Sequence, residues 1–238
     1  MHATAMTIGA AFFRHYLPVP SAKVLDVGGL DVNGTLRSTV PSGWEYVSAD
    51  IAAGPGVDVV LDDSKTLPFG DDAFDAVVST SVFEHDLFFW MTFDEMCRVC
   101  RHGGYLYLNA PSNGAYHRYP DDCWRFYPDA GVALTRWAAR CGKRMTLCES
   151  FVALDFEDTW NDFVGIFRKA STLEQAITPL HHIIPCENVS TSVTAEPLRP
   201  TADTQYLREL KLLRRRLGYD EHKSALAESD INTSAEGS

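Results

Sequence analysis

What the chain lacks narrows it first. No stretch approaches the roughly 20 consecutive apolar residues needed to cross a bilayer, so no integral membrane segment is expected. Positive charge is in deficit: 21 Lys and Arg stand against 32 Asp and Glu, a formal net charge of −11. Binders of nucleic acid draw their affinity from phosphate neutralisation by Lys and Arg, so nucleic acid is not an expected partner. A zinc ribbon is missing too, because Cys97 and Cys100 form one C-x-x-C with no second pair. The six cysteines are scattered through expected core elements and read as buried thiols in a reducing, cytoplasmic setting. Cys97 and Cys100 are expected on two turns of one helix.

Against these absences, 238 residues with 45 % hydrophobic and 22 % charged content suit one well-buried α/β domain. Short β-rich runs at Lys23–Val27, Trp44–Ala49, Val57–Leu61, Phe74–Thr80 and Gly104–Asn109 are interleaved with helical patterns, the clearest at Leu87–Cys100 and Pro128–Cys141. Strands alternating with helices imply βαβ units and a mostly parallel sheet. Later runs at Arg144–Cys148 and Asp162–Phe167 have no long helix between them, which suits an antiparallel addition. AMTIGAAFF near the N-terminus has no basic region before it and no small-residue cleavage pattern after it. It reads as a helix on the sheet edge. From about Ala170 the composition turns to Pro, Thr, Ser, Asn and Glu. The expected division is therefore a domain over 1–170 and a tail over 171–238, with a helix near 203–218 and a disordered end. Leu207, Leu210, Leu213 and Leu217 form a stripe on that helix, a candidate surface for a homodimer or a docking partner.

The chemistry concentrates at strand ends. KVLDVGGLDVNG closes the first strand with Asp26, Gly28 and Gly29. A dinucleotide fingerprint beginning at Gly28 needs glycines at positions that hold Leu30 and Asn33, and no G-K-[ST] follows, so neither a dinucleotide nor a P-loop phosphate fits. Asp50 ends the second strand in YVSADI, where a carboxylate can accept both hydroxyls of a ribose. Asp63, in DDSKTLPF, lies where a carboxylate can accept from an exocyclic amine. An acidic rim of this kind suits a nucleoside carrying positive charge.

VLDVGG, YVSADI, DDSKTLPFGDDAFDAVVSTSVFEH, EMCRVCRHGGYLYLNAP and WNDFVGIFRK, in that order, resemble the motif series of class I S-adenosylmethionine-dependent methyltransferases. The resemblance runs from about Val24 to Lys169. It implies an α/β, Rossmann-like, open seven-stranded, mostly parallel sheet with its last strand antiparallel and helices on both faces. It also implies S-adenosyl-L-methionine as cofactor. By resemblance, Gly28 and Gly29 line the methionine part and Asp26 lies near its ammonium. Asp50 holds the ribose, with Ile51 beside the adenine. Asp63 and Ser64 take the adenine, and Ser79 and Thr80 lie under the sulfonium. An acid at any of these strand ends can equally cap a helix.

NAPSNGAYHRYPDDCWRFYP, after the fifth strand, is dense in aromatic and polar groups and reads as a lid over a small-molecule acceptor. Tyr116, His117, Arg118, Tyr119, Asp122, Trp124 and Arg125 are its candidate acceptor contacts. His117 is the candidate base, with His85 second, because neutral imidazole titrates near working pH. A similar pattern in methyltransferases of glycan and secondary-metabolite pathways points to a sugar or other hydroxylated acceptor. No metal is expected, since no His/Asp cluster with ligand spacing is left over. Two rival readings remain: a catalytically inactive cofactor-binding module that docks a partner, and a nicotinamide-dependent oxidoreductase, which the glycine spacing disfavours.

Overall fold

The computed structural model describes residues 3–62, 66–154, 160–170, 177–192, 210, 213–214 and 216–217. Eight strands form one sheet: β1 (Lys23–Val27), β2 (Glu45–Asp50), β3 (Val59–Val60), β4 (Phe74–Thr80), β5 (Cys100–Pro111), β6 (Met145–Ala153), β7 (Asp162–Lys169) and β8 (Cys186–Ser190). Their spatial order is β3-β2-β1-β4-β5-β7-β6-β8. Neighbours from β3 through β5 are parallel, while β7 runs antiparallel to both β5 and β6, and β8 antiparallel to β6. Helix α1 (Ala3–Tyr16) covers one face, and α2 (Phe89–Val99) and α3 (Asp129–Arg140) cover the other.

Because both faces are covered, the central strands are apolar on both sides. Along β4, Ala76 and Val78 pack towards α1 while Val77 packs towards α2 and α3. Helix α1 buries Ala5, Ile8, Phe12, Phe13 and Tyr16, a stripe at helical spacing. It lies on the sheet face, where Phe12 stacks on Tyr107 of β5 at 4.9 Å, and not on the edge where the sequence suggested it. The apolar period defines a helix and its buried side, but carries nothing about which strand receives it.

The sheet has one strand more than the seven expected. The extra strand β8 lies beyond residue 170, in a stretch whose polar content reads as a tail. Its pairing with β6 covers an edge whose backbone groups would otherwise be unpaired. The approach to β8 is pinned by Glu149 of β6, which is wholly buried. That carboxylate accepts from the Tyr16 hydroxyl (2.5 Å), the Leu180 and His181 amides (2.6 and 3.0 Å) and His181 Nδ1 (2.6 Å). The antiparallel strand foreseen at Asp162–Phe167 is β7, which sits inside the sheet between β5 and β6.

The cysteines also differ in part from expectation. Cys97, Cys100 and Cys186 are buried, but Cys123 and Cys141 are exposed. Cys100 has left the helix and begins β5. Residues 201–238 form a separate compact unit. In it, residues 210, 213, 214 and 216 are helical, and Leu210, Leu213 and Leu217 are exposed. Leu207 and the end of the chain lie outside the described residues. Among the described residues, no helix is long and apolar enough to cross a membrane.

Candidate active site

Strand order reverses between β1 and β4, and in open α/β sheets ligands bind at such a switch point, beyond the carboxyl ends of the strands. The glycine turn stands there. Gly28 has φ +84°, and a Cβ on it would lie 2.1 Å from Val82 Cγ2, so the segment after β4 rests directly on the turn. A Cβ on Gly29 would meet Ser48 Oγ at 2.2 Å and Asp26 Oδ2 at 2.7 Å. Only glycine lets the backbone lie this low.

The acids at the rim separate into two kinds. Asp50 accepts from the Leu30 amide on one oxygen (3.1 Å) and the Ala52 amide on the other (2.9 Å). A carboxylate has about four acceptor sites, so both oxygens retain capacity for a diol. Ile51 beside it is exposed and can lie against a flat ring. Asp26, by contrast, is buried beneath the turn and accepts from the Tyr46 hydroxyl at 2.7 Å. Burial pushes its carboxyl up to about 6. Ser79 is likewise turned inward, donating to the Val27 carbonyl at 2.8 Å and tying β4 to β1. Thr80, at the end of β4, is buried with its hydroxyl unpartnered among the described residues. Asp63 and Ser64 lie outside the described residues.

Across the switch point, the segment Glu84–Asp86 holds the aromatic loop that follows β5. The Glu84 carbonyl accepts from the Cys123 and Trp124 amides (2.7 and 3.2 Å), and Trp124 Nε1 donates to the Asp86 carbonyl (2.9 Å). His85 Nδ1 bonds the Asp121 carbonyl. Within the loop, Arg125 forms a bidentate pair with Asp122 (2.5 and 2.9 Å), whose side chain is 2 % exposed. That guanidinium, helped by the His117 amide at 2.7 Å, holds the Asp122 carboxyl down at about 2. Arg118 turns back on its own loop, to the Pro120 carbonyl and Asp121. Tyr116, Tyr119 and Trp124 are left exposed on the rim.

Trp160, just before β7, was missed in the sequence as a site residue. It meets the His117 ring edge-on at 5.0 Å, lies 5.9 Å from the Arg125 guanidinium, and occupies the space a Cβ on Gly114 would need. Its signal was there, a tryptophan heading the last motif, but it read as the start of a strand. Glu84, in the VFEH stretch after β4, is a further acid of the site. It is buried, its Oε2 has no partner among the described residues, and burial pushes its carboxyl up to about 7. The expectation that no ligand-like cluster remains is corrected by the structure. One ligand atom each from Glu84, His85 and His117 all lie within 4.8 Å of one another. His117 is more than thirty residues downstream, and the bonds of its loop to Glu84–Asp86 and to Asn161 before β7 bring it there.

The methyltransferase-domain family matches residues 16–108. Demethylmenaquinone methyltransferases of Mycobacterium tuberculosis and Mycobacterium bovis are 35 % identical over 107 residues, covering 41 % of this chain and 45 % of theirs. The match thus spans less than half the length of these curated relatives. Among solved structures, the chain is similar to the Burkholderia thailandensis 1,6-didemethyltoxoflavin-N1-methyltransferase with bound 1,6-didemethyltoxoflavin and S-adenosylhomocysteine. That likeness has a TM-score of 0.55 at 17 % identity, over 70 % of this chain and 79 % of the other. The YcgJ protein of Bacillus subtilis follows at 0.52 and 11 %, over 71 % and 100 %. At these identities the likeness is one of fold. The family match ends at residue 108, before the aromatic loop begins.

Proposed function

We propose that this chain is a class I S-adenosylmethionine-dependent methyltransferase that transfers a methyl group to a hydroxyl of a small, sugar-like acceptor, a reading supported by the methyltransferase-domain match over residues 16–108 and the shared fold. The observation that carries the reading is the pairing of two half-sites across one switch point: a low glycine turn with Asp50 on one side, and the histidine-bearing aromatic loop held by Glu84–Asp86 on the other.

The residues present fit the cofactor. Gly28 and Gly29 keep side chains out of the cradle, and Asp50 has acceptor capacity on both oxygens for the ribose hydroxyls. Exposed Ile51 offers an apolar flank for the adenine. Asp26 supports the turn from beneath, and Ser79 fixes the strand end that presents Thr80. Bound S-adenosylmethionine supplies a methyl already activated on a sulfonium. What the protein must add is alignment of the acceptor with that methyl, which contributes several kcal/mol and up to about 10. Tyr116, Tyr119 and Trp124 give flat surfaces for the apolar face of a ring, and the Glu84–His85–His117 cluster is placed to take the proton of a hydroxyl. The named acceptors of the relatives, a quinone and a toxoflavin precursor, are not carried over, because the family match stops short of the acceptor loop.

Calorimetric titration of S-adenosylhomocysteine into wild type and Asp50→Ala tests this. Loss of charge-assisted bonds to the ribose, each worth about 1.5–3 kcal/mol, should weaken binding by roughly ten- to a hundredfold. Absence of binding to wild type would sink the reading.

A further inference from the structure

We propose that Glu84, His85 and His117 form a binding site for a divalent transition-metal ion, with an open coordination position facing the acceptor side of the rim. Its place in the reaction rests on the methyl-transfer reading above, but ion binding itself does not.

Two imidazoles and one carboxylate are a donor set suited to zinc and neighbouring first-row ions, and three protein ligands leave a position for water or substrate. The spacing is close to what is required. Ligands about 2.1 Å from a tetrahedral ion lie roughly 3.4 Å apart, and His85 Nε2 is 3.6 Å from Glu84 Oε1. The third ligand atom, on His117, lies within 4.8 Å of the other two and comes to ligand spacing by side-chain rotation.

Three further observations point to a cation. Glu84 Oε2 is buried without a partner among the described residues, a state that leaves a carboxylate's desolvation uncompensated. Each histidine also has the outer contact that metal-bound imidazoles use to fix their tautomer, a carbonyl facing one ring nitrogen. His85 Nδ1 meets the Asp121 carbonyl, and His117 Nδ1 the Ala115 carbonyl at 3.3 Å, with Asp122 Oδ2 at 3.5 Å. Finally, the carboxylates of Asp122 and Asp162 add negative charge around Glu84, and the Arg125 guanidinium acting on it is itself paired with Asp122.

An ion held here would bind an acceptor oxygen at its open position and make that hydroxyl more acidic, so that its proton passes to solvent at the open rim instead of to the cluster. With the ion in place, the two imidazoles are ligands and orient the acceptor through it.

The test is titration of metal-stripped protein with zinc chloride by calorimetry, with cobalt(II) absorption as a second readout of coordination. Wild type should take up one equivalent. His117→Ala and Glu84→Gln should each weaken it at least tenfold, and the partly exposed His117 keeps the test informative if the buried Glu84 variant fails to fold. No uptake by wild type, or uptake unchanged in both variants, overturns the proposal. S-adenosylhomocysteine titrated in parallel separates the two readings. Zinc uptake without it keeps the ion site and removes the methyl donor, whereas the converse removes the ion and leaves the cluster as a metal-free proton acceptor.

Discussion

Replacing Glu149 should loosen the attachment of α1 and of the segment leading into β8. Its carboxylate is wholly buried and takes four donors, two from side chains and two from backbone amides. Burial and that carboxylate hold the Tyr16 hydroxyl far above its usual range, so it remains a donor. Glu149→Ala strips all four donors of their acceptor inside the protein and should lower stability by about 4 kcal/mol, a large part of the 5–15 kcal/mol typical of a domain. Glu149→Gln keeps one oxygen but turns an amide NH2 towards two donors, for a loss of about 2–3 kcal/mol. Tyr16→Phe removes a single charge-assisted bond and should lose roughly 1.5–3 kcal/mol. Urea unfolding followed by far-ultraviolet circular dichroism gives all three values. A loss below about 1 kcal/mol for Glu149→Ala would refute the reasoning, because the four donors would then have to find other partners.

Two more expectations follow from the site. Asp26 is raised from 3.8 to about 6 in the folded chain, so the unfolded chain gives up its proton first as pH rises. The stability this group contributes is fully present below about pH 4 and lost by about pH 6, a fall of about 3 kcal/mol. Asp26→Asn should remove that slope, so its stability relative to wild type should climb across the window; parallel curves would contradict it. At Gly114, φ is +105° and an added Cβ would lie 2.0 Å from the Trp160 ring. Gly114→Ala should combine strain with overpacking for a loss of roughly 2–4 kcal/mol. Tryptophan fluorescence should report the displaced indole, and an unchanged spectrum and melting temperature would count against the contact.

The rim proposed to hold the cofactor is legible in the sequence because it is written locally. A strand end, two glycines and an acid one strand later suffice to place Gly28, Gly29 and Asp50 on one rim. Even there, which side of a strand a polar residue faces was not legible. Asp26 and Ser79 read as rim groups and are turned into the interior. The half proposed for the acceptor depends on contacts between distant segments. His117 reaches Glu84 and His85 because the loop is bonded to Glu84–Asp86 and to Asn161, and Trp160 reaches His117 only because β7 runs against β5. Strand β8 was missed because five residues with few apolar positions cannot be told from a polar tail, and its partner β6 is more than thirty residues upstream.

The reversed direction of β7 carries a consequence for how the site can diversify. A strand parallel to β5 would deliver its carboxyl end to the rim, whereas β7 delivers its beginning, pairing Asp162 with Pro111 and setting Trp160 against the lid. The rim beyond β5 is therefore bounded by the loop leaving β5 and by Trp160 and Asn161, which lead into β7, and among the described residues these are separate from the glycine turn and Asp50. Lengthening a surface connection adds closure entropy only logarithmically. In the proposed reading, what the site accepts can therefore change through residues 112–127 and the residues leading into β7, while the proposed donor side, which lies before residue 108, stays as it is.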